Sequence, residues 1–245
     1  MIHLVTLAHN DQDSLPPFLA AVQAASSSWH HPCRTLVVDD GSSDDTADVV
    51  EDFSQYGDFE LLRHREHLGE GVALRTGLNG ALEAADPTDL IFTLDVRIIH
   101  SPALVKTMLP LLERGHDVVI ASRYAPGSHE VGLSPFHRVV LRGAAWIMDH
   151  LYSIAEINDY TGRCRGHRAE RVHQLASRYR GRLIEEQGPA CWVELVLKLA
   201  HLERVRFAQI PHSVRHDLQP SPRRGSLWHI VRQQARIVKQ GRRYR

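Results

Sequence analysis

Short apolar runs alternate with amphipathic stretches through the first half of the chain. The runs are rich in β-branched residues, as buried strands are, and the stretches between them repeat their apolar residues at helical spacing. This alternation predicts an α/β fold with a Rossmann-like, mostly parallel sheet and helices on both faces. The predicted strands are Ile2–Ala8, Leu36–Val38, Phe59–Arg63, Leu90–Leu94 and Val118–Ala121, and the predicted helices are Ser14–Ser27, Asp44–Phe53, Val72–Ala85 and Leu104–Leu112.

The second half of the chain has a less regular pattern, which we interpret as an elaboration of the same domain. Apolar residues at helical spacing predict two further helices, and a polar, turn-rich segment lies between them. An apolar run that ends at a proline predicts an edge strand. These elements are the helices Val139–Ile154 and Trp192–Leu202, the turn-rich segment Asp159–Gly166, and the strand Arg204–Ile210 closed by Pro211.

The last part of the chain is basic, although the formal net charge of the whole chain is zero. Between Arg223 and Arg245 there are eight Arg or Lys residues and no acidic residue. Leu227–Val238 predicts an amphipathic helix, which suits either packing against its own domain or an anionic membrane surface, with Trp228 and the aliphatic face inward. The neutral whole-chain charge does not indicate nucleic-acid binding.

Cysteine and histidine usage gives little sign of a disulfide framework or a metal site. The three cysteines are widely spaced, which fits a reducing cytosol. The 17 histidines are scattered without a metal-binding spacing, and we interpret most of them as surface or packing residues. No apolar run is long enough to span a bilayer. We therefore expect a cytoplasmic protein, with peripheral attachment at the inner face of the membrane as an option.

The segment Leu36–Thr46 carries the strongest chemical signal. An apolar run ends in Asp39 and Asp40, followed by a glycine, two serines and a helix start that Ser42 or Ser43 would cap. Ligands of open α/β sheets bind at the carboxyl edge of the strands, where these two acids are expected. Paired carboxylates there suit a ligand rich in hydroxyl and N–H donors, such as a ribose or a base edge. The alternative is that the two acids only cap a turn.

A series of motifs resembles the inverting family-2 glycosyltransferases of the GT-A fold, and most closely their dolichyl- or polyprenyl-phosphate sugar transferases. The resemblance runs from Ile2 to Ser226. Each motif is weak alone, but their order and spacing are specific. The motifs are Leu7-Ala8-His9-Asn10-Asp11, Asp39-Asp40-Gly41-Ser42, His67-Leu68-Gly69-Glu70-Gly71 with Ala73 and Gly77, Ser122-Arg123-Tyr124, Asp159-Tyr160-Thr161-Gly162-Arg163-Cys164-Arg165, Glu194, and Ile210-Pro211 with Arg215.

The resemblance implies a GT-A domain over 1–225, with an acceptor-side elaboration in its second half and a basic helix or tail over 226–245. Its implied activity is transfer of a hexose from a UDP- or GDP-sugar to a polyprenyl phosphate or related acceptor, with inversion. The implied nucleotide-sugar-binding residues are His9, Asp11, Asp39, Asp40, Gly69, Arg138 and Arg215, and the implied catalytic residues are Asp95, Arg97, Arg123 and Asp159.

The metal motif departs from the family pattern. The family's Asp-x-Asp falls at Asp95-Val96-Arg97, and the polar residue two positions further on is Ile99. Mg²⁺ and Mn²⁺ prefer several oxygen ligands, and only Asp95 remains to supply one. We therefore expect no metal requirement or a weakly bound Mg²⁺ or Mn²⁺. Our hypothesis is that Arg97, supported by Arg123 and Arg138, stabilises the leaving diphosphate instead. The alternative is a structural Arg97–Asp95 ion pair in an inactive site.

Several further residues leave alternatives open. Glu70 replaces a basic residue of the family pattern, and it would repel phosphate unless it points away or meets Arg97. Asp159 is interpreted either as an acceptor-side carboxylate, for orientation or base work, or as a turn residue, and Glu194 as a supporting or capping residue. A non-catalytic member that binds a nucleotide sugar or a partner protein is the rival function. A nucleotidyltransferase is a third option, but the chain lacks a glycine-rich, lysine-bearing signature near its first strand.

Overall fold

The computed structural model describes residues 1–215, 235 and 239. Within these residues a seven-stranded sheet has the order β3-β2-β1-β4-β7-β5-β8, and a two-stranded sheet pairs β6 with β9. The strands are β1 Ile2–Ala8, β2 Cys33–Asp39, β3 Phe59–Arg63, β4 Leu90–Asp95, β5 Val118–Ser122, β6 Glu130–Val131, β7 Arg165–Arg168, β8 Phe207–Pro211 and β9 Val214–Arg215. The helices are α1 Leu15–Ser26, α2 Thr46–Phe53, α3 Glu70–Ala84, α4 Pro102–Glu113, α5 Pro135–Tyr152, α6 Ala169–Arg178 and α7 Cys191–Ala200.

The mostly parallel α/β architecture confirms the predicted fold class. Successive strand residues point to opposite faces of the sheet, so each strand contributes to two cores. In β5, Val118 and Ile120 pack into the core that contains residues of α3, α6 and α7. Val119 and Ala121 pack into the opposite core, which contains residues of α1 and α4. Burial on both faces explains why these strands are continuous apolar runs.

Strand β7 and helix α6 were not predicted. β7 is antiparallel to both of its neighbours, β4 and β5, in the middle of an otherwise parallel sheet. Its sequence, Arg-Gly-His-Arg, carries no apolar signal. Gly166 fits there because a Cβ atom would lie 2.7 Å from Phe92 and 2.9 Å from Leu112. The segment interpreted as a turn over Asp159–Gly166 therefore ends inside the sheet.

Other corrections concern helix boundaries and the chain end. The N-cap of α2 is Asp45, not Ser42 or Ser43, and its side chain makes no capping hydrogen bond. The predicted domain boundary at 225 and the predicted helix Leu227–Val238 lie outside the described residues. None of the helices in the described part of the chain combines the length and apolar character needed to cross a bilayer.

The register of the parallel strands places acidic residues together at one edge. Asp39 at the end of β2 lies beside Ala8 of β1, and Asp95 at the end of β4 lies beside Leu7 of β1. The carboxyl ends of the adjacent strands β2, β1 and β4 therefore meet at the same edge, where open α/β sheets bind ligands.

Candidate active site

A cleft of about 260 Å³ opens at this edge of the sheet, and we call it the sheet-edge cleft. It lies between the ends of β1 and β4, the N-terminus of α3 and the loop before α7. Its polar or charged lining residues are His9, Asp11, Asp40, His67, Glu70, Asp95, Arg97, Arg163, Gln187 and Trp192. The cleft thus collects the predicted residues His9, Asp11, Asp40, Gly69, Asp95 and Arg97.

Asp40 is buried and accepts hydrogen bonds on both carboxylate oxygens. Oδ1 lies 2.7 Å from His64 Nδ1 and accepts from the Leu68 N–H at 3.0 Å. Oδ2 accepts from the Gly69 N–H at 2.9 Å and lies 2.9 Å from His67 Nδ1. Burial alone would raise the pKa of Asp40, but these hydrogen bonds and the His67 charge outweigh it and leave the pKa below its usual value. The carboxylate therefore stays ionised and fixes the loop around Gly69.

Asp39 has a different role from its neighbour. Its side chain is fully buried, accepts from the Ser42 N–H at 3.0 Å and lies 3.2 Å from Arg63 Nε. Asp39 does not line the sheet-edge cleft. It therefore holds the turn after β2, which is the alternative that the sequence left open.

Two histidines line one wall of the cleft: His9, which was predicted as a binding residue, and His67, which was not. The rings of His9 and His67 are 4.1 Å apart between centroids, and His9 Nδ1 lies 2.8 Å from the Asp40 carbonyl oxygen. His64 continues the cluster to Thr76, with 2.9 Å between Nε2 and the hydroxyl. An imidazole face beside a buried carboxylate can stack on a planar ligand.

Arg97 pairs with Asp11 and not with Asp95. Its Nε donates to Asp11 Oδ1 at 2.8 Å and its Nη2 to Oδ2 at 3.3 Å. Only the backbone N–H of Arg97 reaches Asp95, at 3.0 Å from Oδ1. The predicted alternative, a side-chain ion pair between Arg97 and Asp95, is therefore wrong, because the partner of Arg97 is Asp11. About a third of the Arg97 side chain (31%) remains exposed to the cleft.

Glu70 meets Arg163, which the sequence analysis had not assigned to the site. Arg163 Nε and Nη2 donate to the two oxygens of Glu70 at 2.5 and 3.3 Å, and Trp192 Nε1 donates to Glu70 at 2.7 Å. Arg163 Nη1 also donates to Asp95 Oδ2 at 3.3 Å. The available sequence signal was the motif Asp159–Arg165, which resembles the family's Asp-x-Thr-Ser-Gly-Phe-Arg element and has Arg163 in the place of its glycine.

Glycines allow the α3 N-terminus to approach the loop before α7. Gly69 has φ +101°, and its Cβ would lie 2.7 Å from the Gln187 carbonyl oxygen. A Cβ on Gly71 would lie 1.7 Å from the Glu186 carbonyl oxygen. The buried Glu194 fixes the same loop by accepting from the N–H groups of Glu185 and Glu186 at 2.9 Å each. Glu194 is therefore a supporting residue, as expected, and does not line the cleft.

Besides Asp39, four predicted site residues lie outside the sheet-edge cleft. Arg123 donates from Nε and Nη2 to the buried Asp159 at 2.8 and 2.7 Å, and it lines a second cavity against α5. Arg138, on α5, donates to the Glu130 carbonyl oxygen at 3.4 Å. Arg215 ends β9 and is not among the residues lining either cavity.

Asp159 is better placed as a structural anion than as a base. Burial alone would raise its pKa, but Arg123 outweighs burial and lowers the pKa to about 2. A carboxylate with such a low pKa accepts a proton poorly at neutral pH. It also accepts from the Thr161 N–H at 3.2 Å, which matches the turn alternative.

Comparison with known proteins gives the family. The family model "Glycosyl transferase family 2" matches residues 4–172, which is more than half of the chain. The chain belongs to glycosyl transferase family 2.

Two relatives of this family-2 chain have names that refer to sugar-linked polyprenyl lipids. It is 28% identical over 172 residues to polyprenol monophosphomannose synthase of Mycolicibacterium smegmatis, covering 68% of this chain and 61% of that protein. It is 28% identical over 120 residues to undecaprenyl-phosphate 4-deoxy-4-formamido-L-arabinose transferase of Pseudomonas syringae, covering 48% of this chain and 34% of that protein. The chain thus spans about a third of the length of the arabinose transferase.

Solved structures agree on the fold. Glucosyl-3-phosphoglycerate synthase from Mycobacterium tuberculosis, solved with Mn²⁺, uridine diphosphate and phosphoglyceric acid, superposes with a TM-score of 0.67. The identity is 18%, over 98% of this chain and 78% of that one. At this level of sequence identity, the structural similarity supports the GT-A fold and no conclusion about activity.

The residues of this family-2 chain do not fit the divalent cation of the family's Asp-x-Asp motif. Mg²⁺ and Mn²⁺ need several oxygen ligands in near-octahedral array. Asp95 offers one carboxylate, and N–H groups of Arg97 and Arg163 already contact its two oxygens. Among the described residues, no group of three or more His, Cys, Asp or Glu side chains is placed to hold a metal ion.

Proposed function

We propose that this chain is an inverting glycosyltransferase that moves a sugar from a UDP- or GDP-sugar to a lipid phosphate without a required metal. The observation that carries the proposal is the sheet-edge cleft, which brings Asp11, Asp40, Asp95 and Arg97 together at the carboxyl ends of β1, β2 and β4. Family membership and the two polyprenyl-phosphate relatives support the reaction class.

The cleft suggests a division of roles for the donor. His9, Asp11, Asp40 and the backbone at Gly69 would bind the nucleoside, whose hydroxyl and N–H groups suit carboxylate and carbonyl acceptors. Arg97 would face the diphosphate, because a guanidinium offers a planar fork of donors that matches phosphate oxygens. Asp95, at the end of β4, would position the Arg97 backbone by accepting a hydrogen bond from the Arg97 N–H.

The α5 cavity is the proposed acceptor site. It has a volume of about 360 Å³ and is lined by Arg123, Tyr124, Arg142, Trp146 and Asn158, among others. Two guanidinium groups suit a phosphate, and the indole of Trp146 suits the first part of a prenyl chain. A phosphate oxygen is already anionic, so this acceptor needs little help from a general base. Asp159 would then act by positioning Arg123.

Binding and transfer assays test this function. We expect purified protein to bind UDP or GDP in calorimetric titration in EDTA, and to transfer sugar from the matching donor to polyprenyl phosphate. Asp95→Asn should lower turnover about 100-fold or more, because it removes the negative charge that holds the Arg163 guanidinium in the cleft. Asp58→Asn is the matched control, since Asp58 is exposed and precedes β3 at the opposite edge of the sheet.

The outcomes separate this function from its rival. The Arg97–Asp11 ion pair favours a non-catalytic member that binds a nucleotide sugar, because it engages the guanidinium before any ligand arrives. Tight nucleotide binding without transfer to any lipid phosphate would support that rival. Absence of nucleotide binding would contradict both.

We further propose that α5 rests on an anionic membrane surface, in addition to the predicted helix Leu227–Val238. The α5 side chains Phe136, Val139, Trp146 and Ile147 are exposed by 43–68%. Arg142, also exposed, lies on the same helix and lines the acceptor cavity. Exposed aromatic and aliphatic residues with basic neighbours are typical of helices that bind anionic lipid interfaces.

Vesicle sedimentation checks this attachment. We expect the protein to bind vesicles that contain phosphatidylglycerol more tightly than phosphatidylcholine vesicles. Phe136→Ser with Val139→Ser should weaken binding about 10-fold, because two apolar side chains no longer enter the interface. Tyr56→Ser is the control, since Tyr56 is 66% exposed after α2. Equal binding by the double variant would contradict the assignment of α5.

A further inference from the structure

Arg163 occupies the space between two acids of the sheet-edge cleft. Its guanidinium forms a bidentate ion pair with Glu70 at the N-terminus of α3 and donates a third hydrogen bond to Asp95 at the end of β4. Glu70 is itself fixed by the Trp192 indole N–H. The guanidinium is therefore held from two elements of the fold, yet 46% of the side chain stays exposed to the cleft.

Three departures from the family pattern meet at this point. Glu70 stands where the pattern has lysine, Arg97 where it has the second aspartate, and Arg163 where it has glycine. These residues are far apart in the sequence but line the same cleft. The three positions carry a net charge of zero in the pattern and +1 here. Relative to the pattern, the substitutions thus shift positive charge from the N-terminus of α3 to the surroundings of Asp95.

We propose that Arg163 is a diphosphate-binding residue and forms with Arg97 a pair of guanidinium groups that takes the place of the divalent cation. This inference rests on the proposed function and names a residue that the family pattern does not supply. Arg163 and Arg97 reach Asp95 from two sides, through the Nη1 group and the backbone N–H. Phosphate oxygens entering between them would meet N–H donors on both sides.

The contacts of both arginines leave donors for such a ligand. Arg97 uses Nε and Nη2 for Asp11, and its Nη1 has no hydrogen-bond partner among the described residues. A guanidinium carries five N–H donors, so Arg163 retains donors beyond its three contacts. Because Glu70 and Asp95 hold Arg163 in advance, little side-chain entropy is lost when the diphosphate binds.

Calorimetry with a matched ligand series tests Arg163 in the full chain. The ligands are uridine, UDP, guanosine and GDP, each in EDTA. Arg163→Gln should weaken binding of the diphosphate about 10- to 100-fold and leave the affinity for the nucleoside unchanged. Arg163→Lys should recover part of the loss, since it keeps the charge but not the fork.

Glu70→Gln distinguishes a ligand-binding role from a structural one. Glutamine still accepts from the Trp192 N–H but removes a negative charge beside the diphosphate. If Arg163 binds phosphate, Glu70→Gln should weaken binding of UDP or GDP far less than Arg163→Gln does, because it keeps the Arg163 guanidinium and removes a negative charge beside the diphosphate. If Arg163 only neutralises Glu70, Glu70→Gln and Arg163→Gln should lower the affinity for UDP or GDP to the same extent. That result would overturn the proposal.

Restoring the family's residues at these three positions gives a second, independent measurement, the effect of Mn²⁺ on nucleotide binding. The triple variant Glu70→Lys, Arg97→Asp and Arg163→Gly should gain Mn²⁺-enhanced nucleotide binding, whereas Arg97→Asp with Ile99→Gln should not, because Arg163 still contacts Asp95. Equal Mn²⁺ enhancement in both variants would overturn the role of Arg163. Unchanged diphosphate binding in Arg163→Gln would overturn the inference alone, whereas a wild type that binds no nucleotide would overturn the proposed function with it.

Discussion

Replacing Arg165 with methionine is expected to lower the free energy of unfolding by about 3–5 kcal/mol. The Arg165 guanidinium is fully buried and donates to the carbonyl oxygens of Gly162, Trp192 and Tyr160 at 2.6, 2.8 and 2.9 Å. Methionine has a similar length but no donor, so three buried carbonyl groups lose their partner at about 1–3 kcal/mol each. Removing a buried charge offsets part of this loss.

Urea unfolding at neutral pH measures the effect. Arg182→Met is the matched control, because the Arg182 side chain is 72% exposed and pairs only with Glu185 among the contacts described for it. We expect that control to change stability by less than about 0.5 kcal/mol. A loss below about 1 kcal/mol for Arg165→Met would contradict the assigned role, because ordinary surface substitutions approach that size.

Arg165 also connects the fold to the site. It ties the turn around Gly162 to Trp192, and Trp192 in turn donates to Glu70 in the cleft. Arg163 lies within the same turn. Loss of Arg165 should therefore loosen the support of Arg163 even in molecules that remain folded.

The parallel strands were predictable for a physical reason that does not extend to β7. Central parallel strands are buried on both faces, so their sequences are apolar runs that stand out from the chain. β7 is equally central, but Arg165 is accommodated by three carbonyl groups and Gly166 by the close approach of Phe92. The Trp192 carbonyl and the Phe92 ring are distant in the sequence, and the two nearer carbonyl groups face Arg165 only once the turn has folded, so a local pattern does not reveal these compensations.

The residues of the cleft were predicted better than their partners. The position of a strand end follows from the strand itself, which is why Asp40 and Asp95 were placed at the correct edge. The partner of an ion pair depends on the relative position of distant segments. Arg97 therefore meets Asp11, and Glu70 meets Arg163, although the sequence analysis had considered Asp95 and Arg97 for these pairings.

Replacing Asp159 with asparagine is the second substitution with a large expected effect, a loss of about 2–4 kcal/mol at neutral pH. Asp159 is fully buried, and its carboxylate receives two bonds from Arg123, whose side chain is 19% exposed. Asparagine keeps an acceptor but not the charge, so Arg123 remains largely desolvated without its counter-ion. Asp58→Asn again serves as the exposed control.

The pH dependence of this loss identifies its electrostatic origin. The pKa of Asp159 falls from its ordinary value of 3.8 to about 2 in the folded state, because Arg123 outweighs the opposing effect of burial. Because the pKa is lowered, ionised Asp159 stabilises the folded state at pH values above 3.8, and this stabilisation is lost as the pH falls toward 2.

The difference in unfolding free energy between wild type and Asp159→Asn should therefore be constant above about pH 5 and shrink by about 1 kcal/mol at pH 3. Urea unfolding of both proteins from pH 7 to pH 3 measures this difference. A difference that stays constant over the whole range would assign the loss to packing and not to the Arg123–Asp159 charge pair.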